Sequence, residues 1–218
     1  MPLQQQQEKM ENYTNEIKIN FLLVGDEGVG KTSLQIHFTR LDQWSEKEIQ
    51  KEIRQSSPTI GVDLARCSLL DQEMGMLRFN LCDLAGAEKF YSGHLLQSYF
   101  RNKEAVIFMF DLTRANTLET IKNCWYDRVV SARNPLWRGM LVGNKSDLPQ
   151  RQISPDYAKD VAHQLGMDYM ELSALEDSGE KIRYPFLKLA RLLYDAGIAQ
   201  KQQQQQFTKQ GPVESSCC

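Results

Sequence analysis

The 218-residue chain predicts an α/β domain: a six-stranded, mostly parallel sheet with one antiparallel edge strand and helices on both faces. Three observations carry that expectation. Apolar runs of strand length alternate with stretches of helix length, the pattern of crossover units. Two of the runs are joined by the short turn DQEMG, which makes a hairpin. The first run ends in a glycine-rich turn that opens directly into a helix.

Taken in order, IKINFLLV (17–24) begins with period-two alternation and then turns wholly apolar, as a strand entering a buried sheet does. GVDLARCSLL (61–70) and MLRFNLC (76–82) form the hairpin arms, and AVIFMFDL (105–112) and RGMLVGN (138–144) are short buried strands. MDYMELS (167–173) is a weaker sixth. Helices are expected near 31–41, 89–100, 117–132, 155–165 and 179–197. The domain is read as residues 17–198, with a glutamine-rich N-terminal extension (1–16) and a glutamine-rich C-terminal tail (199–218), both expected to be disordered.

Bulk composition excludes several classes. A formal net charge of −2 offers no field for nucleic acid. No apolar run approaches the roughly 18 residues that span a bilayer, and no secretory leader is visible. Cys67, Cys82, Cys124, Cys217 and Cys218 have neither disulfide-framework nor zinc-ligand spacing. The first three are read as buried thiols, which fits a reducing, cytoplasmic setting. His37, His94 and His163 show no catalytic pairing.

The chemistry is concentrated at strand ends, where ligands sit in sheets of this kind. GDEGVGKT, Gly25 to Thr32, fits G-x-x-x-x-G-K-[ST] between a strand and a helix. Backbone N–H groups across Gly25, Asp26, Glu27, Gly28, Val29 and Gly30 can turn onto a phosphate at the positive helix end, with Ser33 in the first turn completing the set. Lys31 would reach β- and γ-phosphates, and the Thr32 hydroxyl would ligate Mg²⁺.

GNKSD, Gly143 to Asp147, selects the base. The Asp147 carboxylate can accept from both N–H groups of guanine, whereas adenine presents an acceptor there. Leaving a buried group unpaired costs about 1–3 kcal/mol. Asn144 would hold the loop and the Lys145 stem would flank the base. CDLAG supplies Asp83 for the magnesium shell and the Gly86 amide for a γ-phosphate, and Thr59 in SPTIGVDL can complete that shell. Taken separately, Asp83 could be a solvated strand end and Thr59 a turn residue. ELSAL offers backbone amides near Ser173 and Ala174 to the guanine carbonyl.

The ordered set GDxGVGKT, PTIGVDL, DxAG, GNKSD and SAL resembles the small GTPases of the Ras superfamily, and TIGVDL with a terminal CC resembles the Rab family most. The resemblance covers residues 17–198 and implies a P-loop NTPase small-GTPase fold. It further implies a GTP/GDP switch with Mg²⁺, in which the γ-phosphate orders the segments around Thr59 and Gly86. Partners would be vesicle-trafficking effectors, an exchange factor and a GTPase-activating protein, all engaging a monomer through its two switches. Cys217 and Cys218 would carry geranylgeranyl groups, two chains giving stable attachment to the cytosolic face of an endomembrane. Two idle thiols are the alternative reading of that pair.

Three departures from the family pattern bear on activity. Ala87 stands where the glutamine that orients the attacking water is usual, so intrinsic hydrolysis should be slow, unless a partner lends a glutamine. Glu27 stands where relatives carry a small residue beside the γ-phosphate. Two like charges about 4 Å apart repel by about 4 kcal/mol at an effective dielectric near 20, so Glu27 should swing into solvent. Third, LDQWSEKEIQKEIRQSSP lengthens the first switch, and SEKE is a capping-box pattern that predicts an extra helix. Trp44 either lies against guanine or packs beneath that helix. The second switch is slightly extended too, and Leu175 replaces a lysine in SAL. A membrane-tethered pseudo-GTPase held in one nucleotide state is the main alternative. An ATP-using P-loop kinase leaves GNKSD unexplained.

Overall fold

The computed structural model describes residues 16–86, 99–131 and 137–197. Residues 1–15 and 199–218 of the ends expected to be disordered, the 89–100 helix save its last two residues, Ala87 and the terminal cysteine pair fall outside them, whereas Glu16 belongs to the first strand.

Six strands form one sheet: β1 (Glu16–Val24), β2 (Val62–Asp71), β3 (Gly75–Leu84), β4 (Ala105–Asp111), β5 (Arg138–Asn144) and β6 (Asp168–Glu171). Their order is β2-β3-β1-β4-β5-β6. β2 and β3 pair antiparallel with Asp71 opposite Gly75, and β3, β1, β4, β5 and β6 run parallel. β1 lies between β3 and β4, with the strands that follow it placed first on one side and then on the other. A crevice therefore opens beyond the carboxyl end of β1, where the glycine-rich turn begins.

The helices are α1 (Lys31–Arg40), α2 (Glu46–Gln55), α3 (Ala115–Thr120), α4 (Tyr126–Ser131), α5 (Pro155–Gln164) and α6 (Gly179–Asp195). α2 is the extra helix, and it starts as the sequence predicts, with a capping box between Ser45 and Glu48. The expected 117–132 helix is interrupted. A π-turn over Ile121–Trp125 joins α3 to α4 and rotates Trp125 inwards. β6 is shorter than expected because the chain leaves the sheet after Glu171 to form the loop at Ser173.

The alternation in β1 sends Phe21 and Leu23 to one face and Leu22 and Val24 to the other, all four fully buried. On the first face Phe38 of α1 stacks on Phe186 of α6 at 3.8 Å and meets Phe79 of β3 edge-on at 5.1 Å. Burying one such ring contributes roughly 1.5–3 kcal/mol, so this cluster fixes α1 and the turn before it on the sheet. On the second face Phe108, Leu118, Ile121 and Trp125 close the other core. Cys82 is buried, whereas Cys67 and Cys124 are only half-buried, a correction to the expected three buried thiols.

Candidate nucleotide site

A cleft of about 450 Å³ opens at the carboxyl ends of β1, β3, β5 and β6. Its floor is the turn between β1 and α1, and its geometry requires glycine. Gly30 has φ 99°, and a Cβ there would lie 2.1 Å from the Asn144 amide nitrogen. Gly86 is equally constrained, because a Cβ would lie 1.9 Å from the Glu27 backbone nitrogen. The D-x-x-G glycine is therefore where the β3 end presses on the phosphate loop.

Glu27, Gly28, Gly30, Lys31, Thr32 and Ser33 line the cleft. The other three sequence-predicted loop residues lie behind it: Gly25 and Val29 are buried, and Asp26 is turned away. Trp125 Nε1 donates to Asp26 Oδ1 at 3.1 Å. Lys31 is 5% exposed, and its Nζ donates to the carbonyls of Gly25 at 2.9 Å and Asp26 at 3.0 Å, so the ammonium is held across the loop. Glu27 is exposed at the rim. Its carbonyl accepts from Arg114 Nη2 at 3.0 Å.

At one end of the cleft the three predicted metal ligands converge. Thr32 Oγ1 donates to Asp83 Oδ2 at 2.5 Å, Thr59 Oγ1 donates to the same oxygen at 3.2 Å, and the two hydroxyls are 2.6 Å apart. Asp83 is fully buried, and its Oδ1 has no hydrogen-bond partner among the described residues. Burial pushes this carboxyl above its ordinary value, against the pull of the Thr32 hydroxyl, the Lys31 charge and the Thr59 hydroxyl. A buried carboxylate with a spare oxygen beside two hydroxyls is an all-oxygen donor set of the kind Mg²⁺ takes. These residues fit that ion.

At the other end, Asn144 Nδ2 donates to the Val29 carbonyl at 2.7 Å and Asn144 Oδ1 accepts from the Ala174 amide at 2.9 Å. One side chain thus ties three loops together. The Ser173 amide donates to Asp177 Oδ2 at 2.6 Å. Both amides expected at a guanine carbonyl donate within the protein in this structure, and Ser173, Ala174 and Leu175 all line the cleft. Asp147 lines it as an exposed carboxylate. Lys145 sits in the left-handed region at φ 67°, a strained position for a non-glycine residue. Its Nζ pairs with Asp111 Oδ2 at 2.7 Å.

Asp111 is a residue that sequence reasoning missed. It ends the apolar run of β4 and is 1% exposed. Besides Lys145 it accepts from Arg114 Nε at 2.9 Å, and Arg114 in turn holds the Glu27 carbonyl. Burial opposes the Asp111 charge, but Lys145 and Thr113 outweigh it and keep the carboxyl below its ordinary value. A charged residue closing an otherwise apolar strand on the ligand face was the available signal. Trp44, by contrast, is not in the cleft: Arg40 lies over its ring at 4.9 Å.

A phosphate loop, a D-x-x-G glycine against it and an N-K-x-D loop on one α/β sheet define a P-loop nucleotide-binding domain. The signature of the Ras family matches residues 20–195, and the chain belongs to that family of small GTPases. Within it the chain is a divergent, Rab-like member. It is 32% identical to Ras-related protein RabC of Dictyostelium discoideum over 75% of this chain and 79% of that one. It is 31% identical to Ras-related protein SEC4 of Saccharomyces cerevisiae, over 84% and 78% respectively. Identity to Ras-related protein RABC2a of Arabidopsis thaliana is 29%, over 93% and 95%. Among the described residues no helix is long and apolar enough to cross a membrane.

Proposed function

We propose that this protein is a Rab-type GTP/GDP switch in vesicle trafficking, that it binds guanine nucleotide with Mg²⁺, and that it hydrolyses GTP slowly. The observation that carries the reading is one cleft with Thr32 and Thr59, backed by the buried Asp83, at one end and Asn144 and Asp147 at the other. That spacing of a cation-binding end and a base-reading end suits a nucleoside di- or triphosphate.

In this reading the turn from Glu27 to Gly30 receives the phosphates on backbone N–H groups, and Lys31 turns from the loop carbonyls to the β- and γ-oxygens. Thr32 and Thr59 with Asp83 hold Mg²⁺, which supplies positive charge to the phosphate oxygens when bound. Thr59 belongs to the first switch and Gly86 to the second, so a γ-phosphate touching both holds the two segments in one arrangement. Asp147 selects guanine. With Ala87 after Gly86, no glutamine side chain orients water, and the GTP form is long-lived. Lipid chains on Cys217 and Cys218 attach the protein to the cytosolic face of an endomembrane, where effectors and regulators meet its switches.

The deciding experiment is a competition among GDP, ADP and XDP for the purified protein with Mg²⁺. Preference for GDP, with binding weakened on chelation of Mg²⁺, supports the reading, and equal binding of ADP removes it. The pseudo-GTPase reading is favoured by Ala87 and Glu27 and predicts binding with no turnover at all, even with Gln at position 87.

A further inference from the structure

The lengthened first switch leaves α2 without an assigned task. It is strongly amphipathic, with Ile49 1% exposed and Ile53 one turn further along the same face. The root of the insert is pinned by an ion pair between Asp42 and Arg183 of α6, and the helix start is fixed by Glu48, whose carboxylate accepts from the Ser45 amide at 2.8 Å. Its last turn reaches the cleft, where Ile53 forms part of the wall. The adjacent Arg54 pairs with Glu176 at 3.4 Å, two residues beyond Ala174 in the loop tied to Asn144. The helix end therefore sits at the base-reading end of the cleft. From there Ser56, Ser57 and Pro58 line the cleft towards Thr59, whose hydroxyl meets Thr32 at the cation end.

We infer that Ile53 is a nucleotide-contact residue that packs on the base–ribose part of the bound nucleotide, and that the Arg54–Glu176 pair positions it there. This deepens the guanine-nucleotide reading above and rests on it. Trp44, the aromatic residue the sequence offered for that surface, is held under Arg40 instead, so an aliphatic side chain takes the place. An aliphatic contact carries less stacking than a ring. Nucleotide release is consequently set by α2, and an exposed ion pair makes it sensitive to salt.

The test follows release of methylanthraniloyl-GDP from the full chain into excess unlabelled GDP, with Mg²⁺ present. Arg54→Glu should speed release about two- to fivefold at low salt, the range of an exposed ion pair. The double variant Arg54→Glu with Glu176→Arg should return it to the original rate, which a merely structural disturbance would not do. Ile53→Ser should speed release about fivefold or more and Ile53→Phe should slow it. Both Arg54 and Glu176 are exposed, so folding of their variants is not at stake. Release rates unchanged in Arg54→Glu, Ile53→Ser and Ile53→Phe, or a double variant that stays as fast as Arg54→Glu, overturn the inference while leaving guanine binding intact. A protein that takes up no labelled GDP at all overturns the guanine-nucleotide reading itself, and this inference with it.

Discussion

Trp125 and Asp26 stand 99 residues apart in sequence and 3.1 Å apart in space, the indole N–H of the π-turn donating to a carboxylate inside the phosphate loop. Both side chains are buried, Trp125 at 0% and Asp26 at 4% exposure. The loop is therefore braced from behind by the second core, not only by α1.

Trp125→Phe removes that donor and part of the ring it is built on. The variant should lose about 1–3 kcal/mol of unfolding free energy, since a buried acceptor loses a partner. Urea denaturation should show a lower midpoint at unchanged slope. A variant as stable as the parent would mean the bond contributes nothing net.

Asp147→Asn exchanges a double acceptor for a group with one donor and one acceptor. Affinity for GDP should fall roughly tenfold to a hundredfold, from about 1–3 kcal/mol of lost pairing. Affinity for XDP, which has a carbonyl where guanine has its amino group, should rise. Unchanged preference in a competition assay would remove Asp147 from the base contact.

Asp111 links Lys145 of one loop to Arg114, and through it to Glu27 of another. Its carboxyl is held below the ordinary value of 3.8, so the folded state gains from the ionised form. For a depressed carboxyl that stability is complete above the unfolded value and is lost as pH falls through the lower folded value. The stability difference between the parent and Asp111→Asn should thus be constant from neutral pH down to about pH 5 and shrink below about pH 4. Denaturation midpoints across that range measure it.

Ala87→Gln restores the side chain that orients water, while Glu27 stays at the rim in solvent. GTP hydrolysis by the variant should be at least several-fold faster than by the parent in single-turnover conditions. No change would assign the slowness to Glu27 or the altered switches.

Much of this was legible in the sequence because short-range motifs carry their own geometry. Lys31 and Thr32 follow a strand and open a helix, and Asn144 ends another strand, so a parallel sheet had to bring them together. The hairpin turn and the Ser45–Glu48 cap were equally local. What sequence could not show depends on rotation of long elements. The π-turn shifts the helical phase at Ile121–Trp125, and only that shift aims Trp125 at Asp26. Trp44 and Ile53 both lie on the inserted segment, and packing against α1 and the Ser173 loop decided which one reached the cleft. The internal acceptors of the Ser173 and Ala174 amides, Asp177 and Asn144, are visible only once the loop has folded.

The measurement that tests the central claim most directly loads the purified full chain with GTP and Mg²⁺ and follows bound GTP and GDP over hours. The account predicts that the protein retains guanine nucleotide, mostly as GTP, with slow conversion to GDP. Failure to retain any guanine nucleotide, or conversion within seconds without a partner protein, would contradict it.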